Sequence, residues 1–455
     1  MNPPVSTRPL RWWLCGLMFV ATGLSFLDRQ VLSVLAPVVT EQLSLSNLEY
    51  SHVNTAFLVS YAVMFLVGGR LMDLAGTRIG MALSVGLWSF ASALHAAARN
   101  GFHLGACRFF LGVGEGGCFP GAAKGVAEWF SERERAVAIG IAIGGASLGA
   151  VVAPPFTVWL AAAVGWRGVF LATGVVGVAW VAAWWLFSRE LTHASAATVG
   201  ESASTTERRP PARQLSNSIS CAPDRRPALR IPDGQAANHD DLETVRPQRP
   251  ALTALLRRRD VWGLALIRFM VDPVFYFYMF WIPKYLHQER GASMEQIGQL
   301  SWIPFLALGI SNVAGGWASD RLIRAGVTAF KARRLIMAAA ALLTVASSLT
   351  GQVRSVGMAL AMMALLMLAH GFWVTNYVTL ISDRFPHNAV GTVMGISGAV
   401  GAVGGMLANT AIGAVVDRFS YGPVWLASGL MYPLAFGVLM MMVGSNHRSH
   451  GAGVG

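Results

Sequence analysis

Arg108 and Glu115 stand seven residues apart inside a long apolar run, Arg108–Pro120 (RFFLGVGEGGCFP), and are the first residues of the chain whose types and spacing can do chemistry. Seven residues make two helical turns, so the two side chains share one face, about 10 Å apart along the axis. Charge inside an apolar helix needs an internal partner or an aqueous cavity, and such residues mark functional sites. Arginine stays charged and grips a carboxylate through two parallel N–H bonds, whereas a carboxylate in a low-dielectric site can take up and release a proton. The chemistry implied is anion binding coupled to proton movement. Asp28 and Arg29, in Phe26–Gln30 (FLDRQ), form a second charged pair within an apolar run. Arg268 and Asp272 form a third; four residues apart on a helix, they can pair with each other or leave Arg268 for a substrate.

The elements that carry these residues follow from composition. The 455 residues are 54% apolar and only 13% charged, which is far from the norm for a soluble domain. Apolar runs long enough to span a bilayer recur at approximately 12–36, 49–70, 78–98, 101–123, 135–162, 168–188, 260–286, 297–318, 333–352, 355–380, 389–415 and 423–443. The chain therefore reads as an all-α polytopic membrane protein of about twelve helices, with 12–188 and 260–443 as two bundles. Between them, residues 189–259 are rich in Ser, Pro, Ala and Arg, and too polar to offset their ordering entropy. A disordered linker is expected there, with short ends at 1–11 and 444–455. The formal charge of +12 is concentrated in alternate loops, so it reports topology and not nucleic-acid binding. The arginines of the linker place it, and both termini, in the cytoplasm. The first run carries Asp28 and Arg29 and is too long for a cleaved leader, so it is read as the first helix. Cys15, Cys107, Cys118 and Cys221 show neither disulfide nor metal-ligand spacing.

The halves repeat each other. Ser46 and Glu49 before the second span match Ser293 and Gln296 before the eighth, both as capping boxes. At the far ends of those spans, Gly69–Asp73 (GRLMD) matches Gly316–Asp320 (GWASD). Duplicated bundles of this kind place the transport site between the halves near the midplane. With the first span running outward and the fourth inward, Asp28, Arg29 and Arg108 come to similar depth; Arg108 can meet Asp28, and Glu115 lies deeper.

Gly69–Arg78 (GRLMDLAGTR) resembles the loop signature of the major facilitator superfamily, with a partial second copy from Gly316 to Arg321. Asp28-Arg29 together with Arg108 and Glu115 resembles its anion:cation symporter branch. Gly116–Arg135 and Arg268–Leu286 resemble bacterial hexuronate transporters. The resemblance implies proton-coupled import of an organic anion by alternating access through the inner membrane. Asp28 and Glu115 would carry protons; Arg29 and Arg108 would hold the substrate carboxylate. Arg268 would assist them, or else pair with Asp272. A static Asp28–Arg108 salt bridge is the plainer alternative. Tyr61 matches a position commonly tyrosine in that branch. Tyr278 is a further substrate candidate, and Trp373 with Asn376 would offer a ring face and an amide to a sugar acid, or else pack the core. Asp73, Arg78, Asp320 and Arg321 would form gating salt bridges at the cytoplasmic ends, or simply anchor them.

Two departures weaken the hexuronate label. The fifth span reads Gly140–Gly149 (GIAIGGASLG) and the eleventh Gly391–Gly401 (GTVMGISGAVG), where those transporters commonly carry asparagines. A less hydroxylated acid is the alternative. Partners are thus a small organic anion, protons or another cation, and the bilayer; no cofactor or metal is called for. Competing functions are drug efflux on the same fold, which the arginines oppose for cations, and a non-transporting sensor. Gly395–Gly398 resembles the serine motif of rhomboid proteases, but the only later histidines, His447 and His450, lie in the polar tail, which argues against proteolysis. No phosphate-binding loop is present, so the energy comes from a gradient.

Overall fold

The computed structural model describes residues 8–130, 132–206 and 252–444. Most of the expected linker, Cys221 and the ends of the chain lie outside the described residues. What is described is helical, in fourteen α-helices that the chain breaks at glycines and prolines. In the first half these are α1 (Arg8–Val34), α2 (Ala36–Gln42), α3 (Asn47–Leu94), α4 (Gly101–Glu115), α5 (Cys118–Trp129) and α6 (Glu132–Thr206). In the second they are α7 (Leu252–Leu256), α8 (Arg259–Arg290), α9 (Met294–Leu300), α10 (Ile303–Arg324), α11 (Ala329–Thr344), α12 (Val356–Arg384), α13 (His387–Phe419) and α14 (Gly422–Met442).

Helices and membrane passes are not the same units. α3 turns at Gly76 (φ 75°) and α6 at Gly165 (φ 69°), a left-handed conformation that glycine adopts without a Cβ clash, so each contains two passes. Conversely, α1 with α2, α4 with α5, and α9 with α10 each form one broken pass. Nine stretches among the described residues are long and apolar enough to cross a membrane unaided. α6 continues to Thr206, past the expected boundary at 188, through a run rich in alanine, a strong helix former.

Both capping boxes form. Ser46 accepts from Glu49 N while Glu49 accepts from Ser46 N at 2.8 Å, and Ser293 and Gln296 repeat the exchange. They set the starting angles of α3 and α9 and so orient the second and eighth passes.

Small residues bring the helices close. α1 packs on α6 at Gly145 and Gly149, where a Cβ would overlap the carbonyls of Phe19 and Gly23. α8 packs on α13 in the same manner, with Gly404 against the backbone of Phe269. Gly145, Gly149, Gly401, Gly404 and Gly405 thus serve helix contact, whereas a Cβ at Gly140, Gly144, Gly391 or Gly395 would meet nothing within 4 Å.

The halves meet chiefly where α3 begins and α13 ends. Asp417 accepts from Asn47 Nδ2 at 2.7 Å and from Leu48 N at 3.0 Å. Asn409 donates to Ser51 O at 2.7 Å and Thr55 Oγ1 at 3.0 Å, and accepts from Trp281 at 2.9 Å. Tyr50 donates to Phe280 O at 2.7 Å. The seam is therefore closed at this end.

Candidate functional site

Glu115 is the last residue of α4, beside the Gly116–Gly117 break, and is fully buried. Arg29 comes to it from α1, its Nε donating to Glu115 Oε2 at 2.5 Å. Ser25, one turn before Arg29, donates to the same oxygen at 3.1 Å. The Arg29 guanidinium also lies over the rings of Tyr61 at 4.3 Å, Phe26 at 4.7 Å and Phe57 at 5.3 Å. A cation held by one carboxylate and a ring cage is stabilised without water.

Arg108 is also fully buried, but among the described residues it lacks a counter-ion within salt-bridge distance. Its Nη2 donates to the Arg29 carbonyl at 3.0 Å, and its Nε and Nη1 have no acceptor. Glu115 Oε1 has no donor either. Unsatisfied charged groups at full burial are costly and rare, and they point to a ligand or proton that completes them.

The expected Asp28–Arg108 pair is not formed. Asp28 instead accepts from Ser92 at 3.2 Å, and Ser92 shares a hydrogen bond with Thr173 at 2.9 Å. Consecutive residues on a helix diverge by about 100°, so Asp28 turns to α3 and α6 while Arg29 turns to α4. Nor does Glu115 lie out of reach below Arg29; the long arginine side chain spans the difference in level.

In the second half Arg268 Nη2 pairs with Asp272 Oδ2 at 2.9 Å within α8. Gly401 of α13 sits directly against that carboxylate. Tyr276 continues the same face, one turn on, and lies within electrostatic reach of Asp272, Arg268, Tyr61 and Arg29. Its ring stacks on Phe280 at 5.9 Å, and the spacing of four from Asp272 is the signal that finds it. Tyr278 is misplaced as a substrate contact: six residues rotate about 240°, which turns it away from that face. It packs fully buried against Trp425 at 5.7 Å.

Trp373 and Asn376 take the packing reading. Trp373 is 1% exposed and edges onto Tyr432 at 5.5 Å. Asn376 donates to Gly315 O at 3.1 Å and Phe372 O at 2.8 Å, tying α12 to α10. His370 shares a 2.5 Å hydrogen bond with Tyr432 and stacks on Phe275.

At the opposite end from the closed seam, the expected gating residues find partners that the sequence reading missed. Asp73 pairs with Lys124 at 3.1 Å, and Asp320 with Arg333 at 3.2 Å; Arg333 also reaches Asp383 at 3.5 Å. Arg78 donates to Ser188 at 3.2 Å and lies over Trp185, while Arg321 lies over Trp317. No group of three or more His, Cys, Asp or Glu that could hold a metal exists among the described residues.

Residues 18–409 match the family model described as Major Facilitator Superfamily. The hexuronate transporter of Escherichia coli K12 is 27% identical over 422 residues, covering 92% of this chain and 90% of that protein. The galacturonate transporter of Dickeya chrysanthemi is 30% identical over 310 residues, covering 68% of this chain and 81% of that protein. A solved D-xylose–proton symporter superposes with a TM-score of 0.66 at 14% identity, covering 94% of this chain and 97% of that one; it shares the fold.

Proposed function

Because the chain belongs to the major facilitator superfamily, we propose that it is a proton-coupled symporter importing an organic anion, of the sugar-acid class named for its hexuronate and galacturonate relatives. The observation that carries this is Arg108, fully buried with two N–H donors unmatched, beside an arginine already neutralised by Glu115. A substrate carboxylate completes Arg108. A proton arriving at Glu115, whose Oε1 is free of donors, cancels the charge that holds Arg29 and releases that guanidinium to the same substrate. Asp28 carries a second proton through its Ser92 and Thr173 neighbours. Tyr61 and Tyr276 complete the binding face, and Arg268 stays neutralised beside it by Asp272.

Positive-inside placement puts both termini in the cytoplasm of an inner-membrane protein. The seam closed by Asp417 and Asn409 is then the outer one, and the site opens inward. Access alternates when this seam parts and the Asp73–Lys124 and Asp320–Arg333 ends draw together. The glycines of the fifth and eleventh passes leave few amides for hydroxyl groups, which favours a sugar acid with fewer hydroxyl groups than a hexuronate.

The test is Glu115→Gln in proteoliposomes under an imposed pH gradient. Accumulation should fall to the level of passive exchange while counterflow of preloaded substrate persists. Undiminished gradient-driven accumulation would remove Glu115 from the proton path. A thermal-shift screen against uronates, aldonates and small carboxylates identifies the anion, since a ligand of the native state raises the melting temperature.

A further inference from the structure

A cavity of about 660 Å³ lies where α8 begins and α14 ends, far from the central arginines. Arg258, Arg259, Asp260 and Arg384 line it, with Met441 and Met442 behind them. Asp260 holds two of the guanidinium groups: Arg258 Nη2 and Arg384 Nε both reach its Oδ2, at 2.7 Å and 2.9 Å. Arg258 is further fixed over the Phe385 ring at 4.4 Å. Arg259 makes no ion pair among the described residues, so three guanidinium groups face one carboxylate and positive charge is in excess. Two preset arginines around a hollow, with a third free, match the oxygens of a phosphate.

The rim decides what carries that phosphate. α7 buries Leu255 but leaves Leu252 and Leu256 exposed, and Trp262 and Met441 beside them are 46% and 69% exposed. Trp262 keeps its indole N–H on Leu256 O at 2.7 Å, which ties the short helix to α8. Apolar side chains flanking a basic hollow at the helix ends suit acyl chains below a headgroup; a free phosphate in water would leave them uncovered.

We infer that this hollow is a binding site for the headgroup of an anionic phospholipid. The site is independent of the transport cluster, and its occupancy fixes α7 and α8 against α12 and α14.

Full-length protein in detergent is titrated with phosphatidylglycerol, with phosphatidylcholine and with inorganic phosphate, and the melting temperature is followed. Phosphatidylglycerol should raise it, and phosphatidylcholine should not. Arg259→Gln should weaken the apparent affinity about fivefold, the usual worth of one interfacial arginine, and Arg384→Gln should weaken it more. Arg259 supports no ion pair, so its variant keeps the Asp260 pairs and reads binding separately from folding. Equal stabilisation by both lipids, or unchanged affinity in Arg259→Gln, overturns the site. Stabilisation by inorganic phosphate alone assigns the arginines to a soluble anion and overturns the lipid.

Discussion

The two halves each carry an arginine and a carboxylate in the membrane, yet they satisfy them differently. In the second half Arg268 and Asp272 sit one turn apart on a single helix and neutralise each other wherever that helix moves. In the first half the bond runs between helices, from Arg29 on α1 to Glu115 on α4, and Arg108 is left without a carboxylate. A pair within one helix is indifferent to how helices are arranged. A pair between helices, next to an unsatisfied cation, is open to both a proton and an anion, as the proposed mechanism requires. Duplication thus supplied two similar scaffolds, of which one holds an inter-helix pair beside an unmatched arginine and the other a self-contained pair.

Substitutions can break this contrast, beginning where the effect is largest. Arg108→Gln or Arg29→Gln should lower uptake by about a hundredfold or more, since truncating one side of a buried charged contact costs about 2–5 kcal/mol. Arg268→Gln alone should be milder, about tenfold, and the double change Arg268→Gln with Asp272→Asn should recover much of that loss by neutralising both partners. The matching double change Arg29→Gln with Glu115→Gln should recover nothing. If the Arg268/Asp272 double variant transports no better than Arg268→Gln alone, the second pair touches substrate and the contrast fails.

Gly149→Ala forces α1 from α6 and should cost about 1–3 kcal/mol, read as a lower melting temperature. Gly401→Ala meets the Asp272 carboxylate, a side chain that can shift, so its thermal penalty should be smaller. Asn409→Ala removes hydrogen bonds worth about 1 kcal/mol each and should raise, by several fold, the labelling of a cysteine placed at Thr55. Unchanged labelling would show that the seam does not depend on Asn409. Smallest is Glu49→Gln, which gives the first capping box the chemistry of the second; a change near 0.5 kcal/mol is expected, read by hydrogen exchange at the start of α3.

The charged residues themselves, the spans and both capping boxes were legible in the sequence, because a bilayer excludes charge and a capping box is a local contact. Partner choice was not. Spacing tells which residues share a face of one helix, but not which neighbour that face meets, and so Asp28 was matched to Arg108 when its partner is Ser92. A spacing of six from Asp272 marks Tyr278 in the sequence, whereas the rotation per residue selects Tyr276, four residues on. Lys124 and Arg333 stood far along the chain from Asp73 and Asp320, and nothing short of the packed bundle brings them together. Trp373 and Asn376 had the composition of a sugar site but lie inside the contact of three helices. A lone amide in an apolar run, such as Asn409, signals nothing until its partners across the seam are in place.

Asp417 gives the seam a kinetic character of its own. Its carboxylate receives Leu48 N–H, so α13 supplies a negative charge to the first turn of α3, where the aligned peptide dipoles favour one. When the halves separate, that turn is not left bare, because Ser46 continues to receive Glu49 N–H. The bond lost is one of two that serve the same helix end, and water replaces it readily at an exposed position. Asp417 therefore adds little to the barrier, which rests on the buried Tyr50–Phe280 and Asn409–Ser51 bonds, and its latch can close again without refolding of α3.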